Sequence, residues 1–184
     1  MIIGRRTLLA TGGLWLAGLA QAHTGAIDIA MNSNEDGSKV WYDPIGLLVQ
    51  PGATIRWMIM ANVHATAAYH PGNDLHSLRI PEKARPWNSD FLVNPGDHFE
   101  VTLTEPGVYD YFCAPHEQAG MVGRIIVASA SGPGTLPFDY FKSMTPLPDW
   151  QDVPEAAQQN FPSVEKILRD GIVRLGWGLG TSSP

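Results

Sequence analysis

The sequence predicts an all-β fold, a Greek-key β-sandwich followed by a partly helical C-terminal extension. Three observations carry this expectation. Short alternating or β-branched runs recur with turn residues between them, the spacing of a sandwich. The 19 glycines and 15 prolines are more than long helices tolerate. A 44% hydrophobic content suffices for a real core, and 184 residues make one ordinary domain plus a small appendage.

In chain order, residues 1–22 come first and read as an export signal. Arg5 and Arg6 precede an apolar run over 7–20, and Ala20-Gln21-Ala22 has the small-x-small form that a signal peptidase accepts. The run is shorter than the ~18–20 apolar residues needed to cross a bilayer and holds three glycines. Arg-Arg-Thr-Leu-Leu also suits twin-arginine (Tat) export, and both the Tat and Sec routes stay open. Loss of 1–22 removes two positive charges and no negative ones, taking the formal charge from −6 to −8. No later stretch is long enough to span a membrane, so the mature chain is expected to have no transmembrane segment and to be periplasmic or otherwise exported.

The main domain is expected over 23–130. Strands are predicted at 26–31, 39–42, 47–50, 53–60, 63–69, 98–104, 107–112 and 122–129. Pro51-Gly52, Asn94-Pro95-Gly96 and Glu105-Pro106-Gly107 mark turns at three of the joints. Between 69 and 98 lies a Pro-rich excursion, too long for a hairpin, expected to pack over one side of the sandwich. Ser131-Gly132-Pro133-Gly134 is a linker into the extension, 131–184. There, Pro162 followed by Val164, Ile167 and Leu168 predicts one short amphipathic helix closing at Gly171. The apolar, Gly-rich stretch 172–180 suits core packing better than a membrane anchor. No internal repeat is present.

Composition narrows the function. Twelve Lys+Arg against 18 Asp+Glu is the wrong balance for releasing counterions from a polyanion, so no nucleic acid partner is expected. A single cysteine rules out an intramolecular disulfide and a Cys-rich zinc site. That cysteine lies in Cys113-Ala-Pro-His116-Glu-Gln-Ala-Gly-Met121, between a strand and the next strand. Alone, each residue has an ordinary explanation: Cys113 a small buried hydrophobe, Met121 core filler, His116 a surface imidazole. Together, thiolate, imidazole and thioether are soft or borderline ligands, and two His plus one Cys with a weak axial Met make a blue-copper electron-transfer site. A second histidine is therefore required from a neighbouring strand. His64, just past the apolar run 53–60, is the candidate.

Over 107–127 the chain resembles the cupredoxins, in particular the plastocyanin and halocyanin branch; the segment from His64 to His70 and Arg85-Pro86-Trp87 resemble it more loosely. The likeness extends over about 26–129 and leaves the extension unexplained. It implies a cupredoxin-like sandwich with one type 1 copper ion, His64 and His116 as imidazole ligands, Cys113 as thiolate and Met121 as axial thioether. It further implies an electron carrier with transient redox protein partners, and a role for Tyr109 in tying a loop to the sandwich. One position departs from the pattern: plastocyanins often have Asn directly after the first ligand histidine, and here Ala65 stands there.

Among the other histidines, His70 lies six residues beyond His64, about 20 Å along an ideal strand at ~3.3 Å per residue, so the two are not expected to share one metal. His76 and His98 are expected at the surface, and His23, at the mature terminus, would offer amino and imidazole nitrogens for a second Cu(II) if that end is ordered. An enzyme is not expected, because four donors leave no open coordination position and Phe112 and Ala114, not histidines, flank Cys113. The alternative to a carrier is a periplasmic copper chaperone or storage protein, for which the scattered methionines give little support. Electrons are expected to leave through the edge of His116, with Ala114, Pro115, Ala119, Gly120 and Val122 as a small apolar docking patch amid acidic surroundings.

Overall fold

The computed structural model describes residues 25–176. Residues 1–22, read above as an export signal, His23 and the end of the apolar stretch beyond 176 lie outside the described residues. The described chain is a sandwich of two sheets, as the strand pattern predicts. One sheet has the order β2-β1-β4-β6, and the other β5-β7-β8-β3-β9. The strands are β1 (Ile27–Ser33), β2 (Val40–Asp43), β3 (Gly46–Val49), β4 (Ala53–Ile59), β5 (Ala67–Ala68), β6 (His98–Leu103), β7 (Gly107–Phe112), β8 (Val122–Val127) and β9 (Ile172–Val173). β4 shows the underlying logic. Ile55, Trp57 and Ile59 are buried on its inner face, while Thr54, Arg56 and Met58 point outward, the two-residue period of a half-solvated strand. Its neighbours are β1, parallel, and β6, antiparallel.

β7 and β8 behave differently, being buried on both faces. Tyr109, Tyr111 and Cys113 join the inner core with Ile125 and Val127. Gly123 on β8 leaves room there for the Tyr111 ring, which a Cβ would overlap. Phe112, Val122, Val108 and Ile126 face outward, yet they too are buried, because the extension covers that face. The cover is held by charge as well as apolar contact. Asp110, fully buried on β7, accepts from Arg79 Nε at 2.8 Å and Arg124 Nε at 2.7 Å. Arg79 also donates to Gly134 O at 3.0 Å, and Arg124 to Pro162 O at 3.0 Å. Each guanidinium lies over an extension ring, Phe138 at 4.2 Å and Phe161 at 5.0 Å.

The structure differs from expectation in three places. The run 63–69 forms only the two-residue β5. His64 pairs instead with Leu92 and Ala67 with Asn88, so the excursion supplies a ragged partner in place of a regular strand. Among the described residues the extension holds two α-helices, α1 (Glu155–Asn160) and α2 (Val164–Asp170), and its β9 pairs with β3. α1 escapes sequence reading because six residues burying only Ala157 carry no usable periodicity. α2 starts at Ser163, whose hydroxyl accepts from Lys166 N, and stops at Gly171, where the helix was expected to close. Finally, His76 is buried, not at the surface, beneath the extension residue Gln151 with which it bridges.

Candidate metal centre

One end of the sandwich gathers the residues singled out above. β7 ends at Phe112 and delivers Cys113, fully buried. A 3-10 helix, Ala114–Ala119, carries His116 and is closed by Gly120 at φ 82°, and Met121 then leads into β8. The loop is closed by its own backbone: Cys113 N donates to Met121 O at 3.0 Å, Met121 N to His116 O at 3.1 Å, and His116 N to Cys113 O at 2.9 Å. Met121 is thereby fixed across the turn from Cys113, with its side chain fully buried. His64 arrives from the segment after β4, locked by a reciprocal backbone pair with Leu92 at 3.1 and 2.9 Å.

The donor atoms converge. Cys113 Sγ lies 3.7 Å from His64 Nδ1 and 3.4 Å from His116 Nδ1, and one ligand atom from each residue lies within 4.8 Å of the others. Bonds of about 2.0–2.1 Å to nitrogen and about 2.3 Å to sulfur, spread trigonally around one ion, put S and N about 3.8 Å apart. The observed spacing therefore accepts a single borderline metal ion with little movement. Among the described residues this is the one group of three or more His, Cys, Asp or Glu that could hold a metal. His70 stands apart, half-exposed, its Nδ1 accepting from Gly72 N at 2.9 Å. His98 is exposed at the start of β6.

Burial tunes these groups. It pushes the Cys113 thiol up to about 12, although the Ala65 N–H favours the thiolate. Burial, with His116 adjacent, pulls His64 down to about 4. Burial also lowers His116. Both shifts favour the neutral imidazole, the form that ligates, and a bound cation would displace the thiol's proton.

Several supporting residues lay beyond sequence reading. Ala65, the position that departs from the resembled pattern, does its work through backbone: its N–H donates to Cys113 Sγ at 3.3 Å, and its carbonyl accepts from buried Tyr42 OH at 2.6 Å. Ser33 Oγ sits 3.1 Å from His64 Nε2, fixing the ring whose Nδ1 faces the sulfur. Glu117, next to His116, is buried, accepting from Tyr69 OH at 2.7 Å and meeting His76 Nε2 at 3.0 Å. Tyr109 OH donates to Glu105 O at 2.7 Å, tying the 105–107 turn to the sandwich as the resemblance implied. No sequence pattern marks Ser33, Tyr42 or Glu117, since each becomes a neighbour only through strand pairing or long-range packing. The proposed docking patch needs correction: Ala114, Pro115 and Ala119 are exposed, but Gly120 and Val122 are buried, Val122 beneath the extension.

A β-sandwich that closes thiolate, two imidazoles and a thioether around one point at its end defines the type 1 copper proteins. The chain belongs to the copper-binding plastocyanin/azurin family, whose profile matches residues 29–128. It is similar to the chloroplastic plastocyanin of Hordeum vulgare, 32% identical over 127 residues, 65% of this chain and 71% of the relative. The chloroplastic plastocyanin of Silene latifolia subsp. alba is 30% identical over 116 residues, 60% of this chain and 66% of the relative. Among solved structures, the pseudoazurin of Methylobacterium extorquens AM1 shares the fold at 19% identity, with TM-score 0.50, covering 73% of this chain and 93% of that one. Family membership makes copper the cofactor and blue-copper electron transfer the function.

Proposed function

We propose that this protein is an exported single-electron carrier in which His64, Cys113, His116 and Met121 hold one type 1 copper ion. The observation that carries this reading is the convergence of Cys113 Sγ, His64 Nδ1 and His116 Nδ1 within 4.8 Å at the end of the sandwich, with Met121 clasped across the same loop. Copper there would supply a one-electron change between Cu(I) and Cu(II). The protein's part is to keep the donors still. Cys113 lies on a strand end, His64 is pinned by Leu92 and Ser33, and the loop is cross-tied by its own backbone bonds. Four donors leave no open position for substrate, which supports a carrier over an enzyme.

Of the two imidazoles, His64 is fully buried and His116 partly exposed, so His116 is the outlet toward a redox partner. Exposed Ala114, Pro115 and Ala119 around it suit a weak, quickly dissociating encounter. Export, to the periplasm or beyond, rests on the features of 1–22. No helix among the described residues is long and apolar enough to cross a membrane. Voltammetry of the purified, copper-loaded protein tests the reading. A reversible one-electron wave is expected, with the visible colour bleaching on reduction and returning on oxidation. Tight Cu(I) binding without a reversible wave would indicate a chaperone or storage protein instead.

A further inference from the structure

The loop between His116 and Met121 is gripped from outside at two points, one by the C-terminal extension directly and one through the 69–76 segment that the extension backs. The first is Gly120. Asn160, the last residue of α1, donates from Nδ2 to Gly120 O at 2.9 Å. α1 lies so close that a Cβ on Gly120 would overlap the Asn160 side chain and come within 2.8 Å of Ala156 O. Gly120 N, in turn, donates to Glu117 O at 2.8 Å, closing the 3-10 helix.

The second point is Glu117, one residue beyond His116. Its carboxylate is held by Tyr69 and by His76, whose ring stacks on Phe112 at 4.2 Å and 22°. The His76 segment is in turn tied to the extension. Gln151 N donates to Leu75 O at 2.7 Å and Gln151 Nε2 to Asp74 O at 2.6 Å. Val153 and Ala157 seal the assembly over Tyr69, Phe112 and Val122. Between the two grips only Gln118 and Ala119 are free to solvent. The extension lies outside the part of the chain that matches the family profile, residues 29–128.

We propose that the extension is a working part of the metal centre, a clamp that holds 116–121 in one geometry, with Asn160 as a positioning residue. This rests on the ligand assignment above. A short loop carrying two ligands would otherwise relax separately around each oxidation state of the metal. Anchoring the Gly120 carbonyl and the Glu117 carboxylate to a second packed layer removes that freedom and slows loss of the metal. Hydrogen bonds made directly to ligand side chains change metal affinity on the order of 10–100-fold when removed, and this one, a residue away from Met121, is set at the lower end of that range.

The test compares the full-length parent with N160D, which keeps the shape but cannot donate to the carbonyl, and N160Q, which keeps the amide on a longer arm. K142A, breaking the exposed Lys142–Asp152 pair elsewhere in the extension, is the control. Extraction of Cu(I) by bicinchoninate from loaded protein and amide exchange at His116 and Met121 in metal-free protein are measured, with the copper hyperfine coupling as a spectroscopic readout. For N160D, extraction and exchange are each expected to quicken on the order of ten-fold, with a shifted hyperfine coupling. N160Q should recover part of the effect and K142A should match the parent. Parent-like values for N160D, or equal changes in K142A, would overturn the clamp. A parent protein that forms no one-to-one coloured copper complex would instead overturn the ligand assignment beneath it.

Discussion

His64 and His116 face the same sulfur from unlike surroundings, and this difference fixes what each substitution does. His64 is buried and pinned at its far nitrogen by Ser33. His64→Gly should leave a cavity that exogenous imidazole can fill, restoring the visible spectrum, whereas His70→Gln should leave that spectrum unchanged; titrating imidazole into both variants checks the pair. Met121 is fully buried on the loop held by Cys113 and His116. A thioether donates weakly and favours Cu(II) over Cu(I), so Met121→Leu should raise the reduction potential and Met121→Gln, with a stronger oxygen donor, should lower it. The Leu exchange nearly conserves volume and should cost less than ~1.5 kcal/mol, so folding does not obscure the shift. Voltammetry at one pH decides it, and a Leu variant at or below the parent potential would leave Met121 as core filler.

At the scale of elements, the metal loop, the 75–76 segment and the extension form one stack, and its buried His76 links stability to pH. Burial alone would lower this imidazole, but its bonds to Glu117 and to the Asn73 carbonyl outweigh that and raise it above the ordinary value near 6.5. A raised imidazole contributes stability that is complete below the unfolded value and fades as pH rises through the folded one. Resistance of the metal-free protein to denaturant should therefore fall as pH rises above about 6.5, and His76→Asn should flatten that slope. A slope unchanged in the variant would assign it to other groups. The same elements show what was legible in advance. β7 is legible at 107–112, as found, because a Pro-Gly turn precedes it and an alternating aromatic run fills it. His64, Cys113, His116 and Met121 stood out because ligand chemistry restricts residue type and spacing. β5, α1 and the burial of His76 did not, because each depends on contact between segments far apart in sequence. Arg79, Asp110 and Arg124 are likewise 14 to 45 positions from one another and are brought together only by the sheet and its cover.

For the molecule as a whole, one buried carboxylate is the charged junction between the sandwich and its extension. Asp110 neutralises one of two buried guanidiniums that also hold the carbonyls of Gly134 and Pro162. Asp110→Asn leaves both cations short of an anion and should cost about 3–5 kcal/mol, loosening the extension with it. Denaturant titration gives the loss, and a cost under about 1 kcal/mol would show that the extension does not depend on this junction. The central claim is that one copper ion is bound through the Cys113 thiolate with His64, His116 and Met121. Titration of metal-free protein with Cu(II), followed by visible absorption in the parent and in Cys113→Ser, tests it most directly. The parent should develop an intense thiolate-to-copper band that saturates at one equivalent, and the folded serine variant should develop none. An intense band retained by the serine variant, or a parent that stays colourless, would contradict the claim.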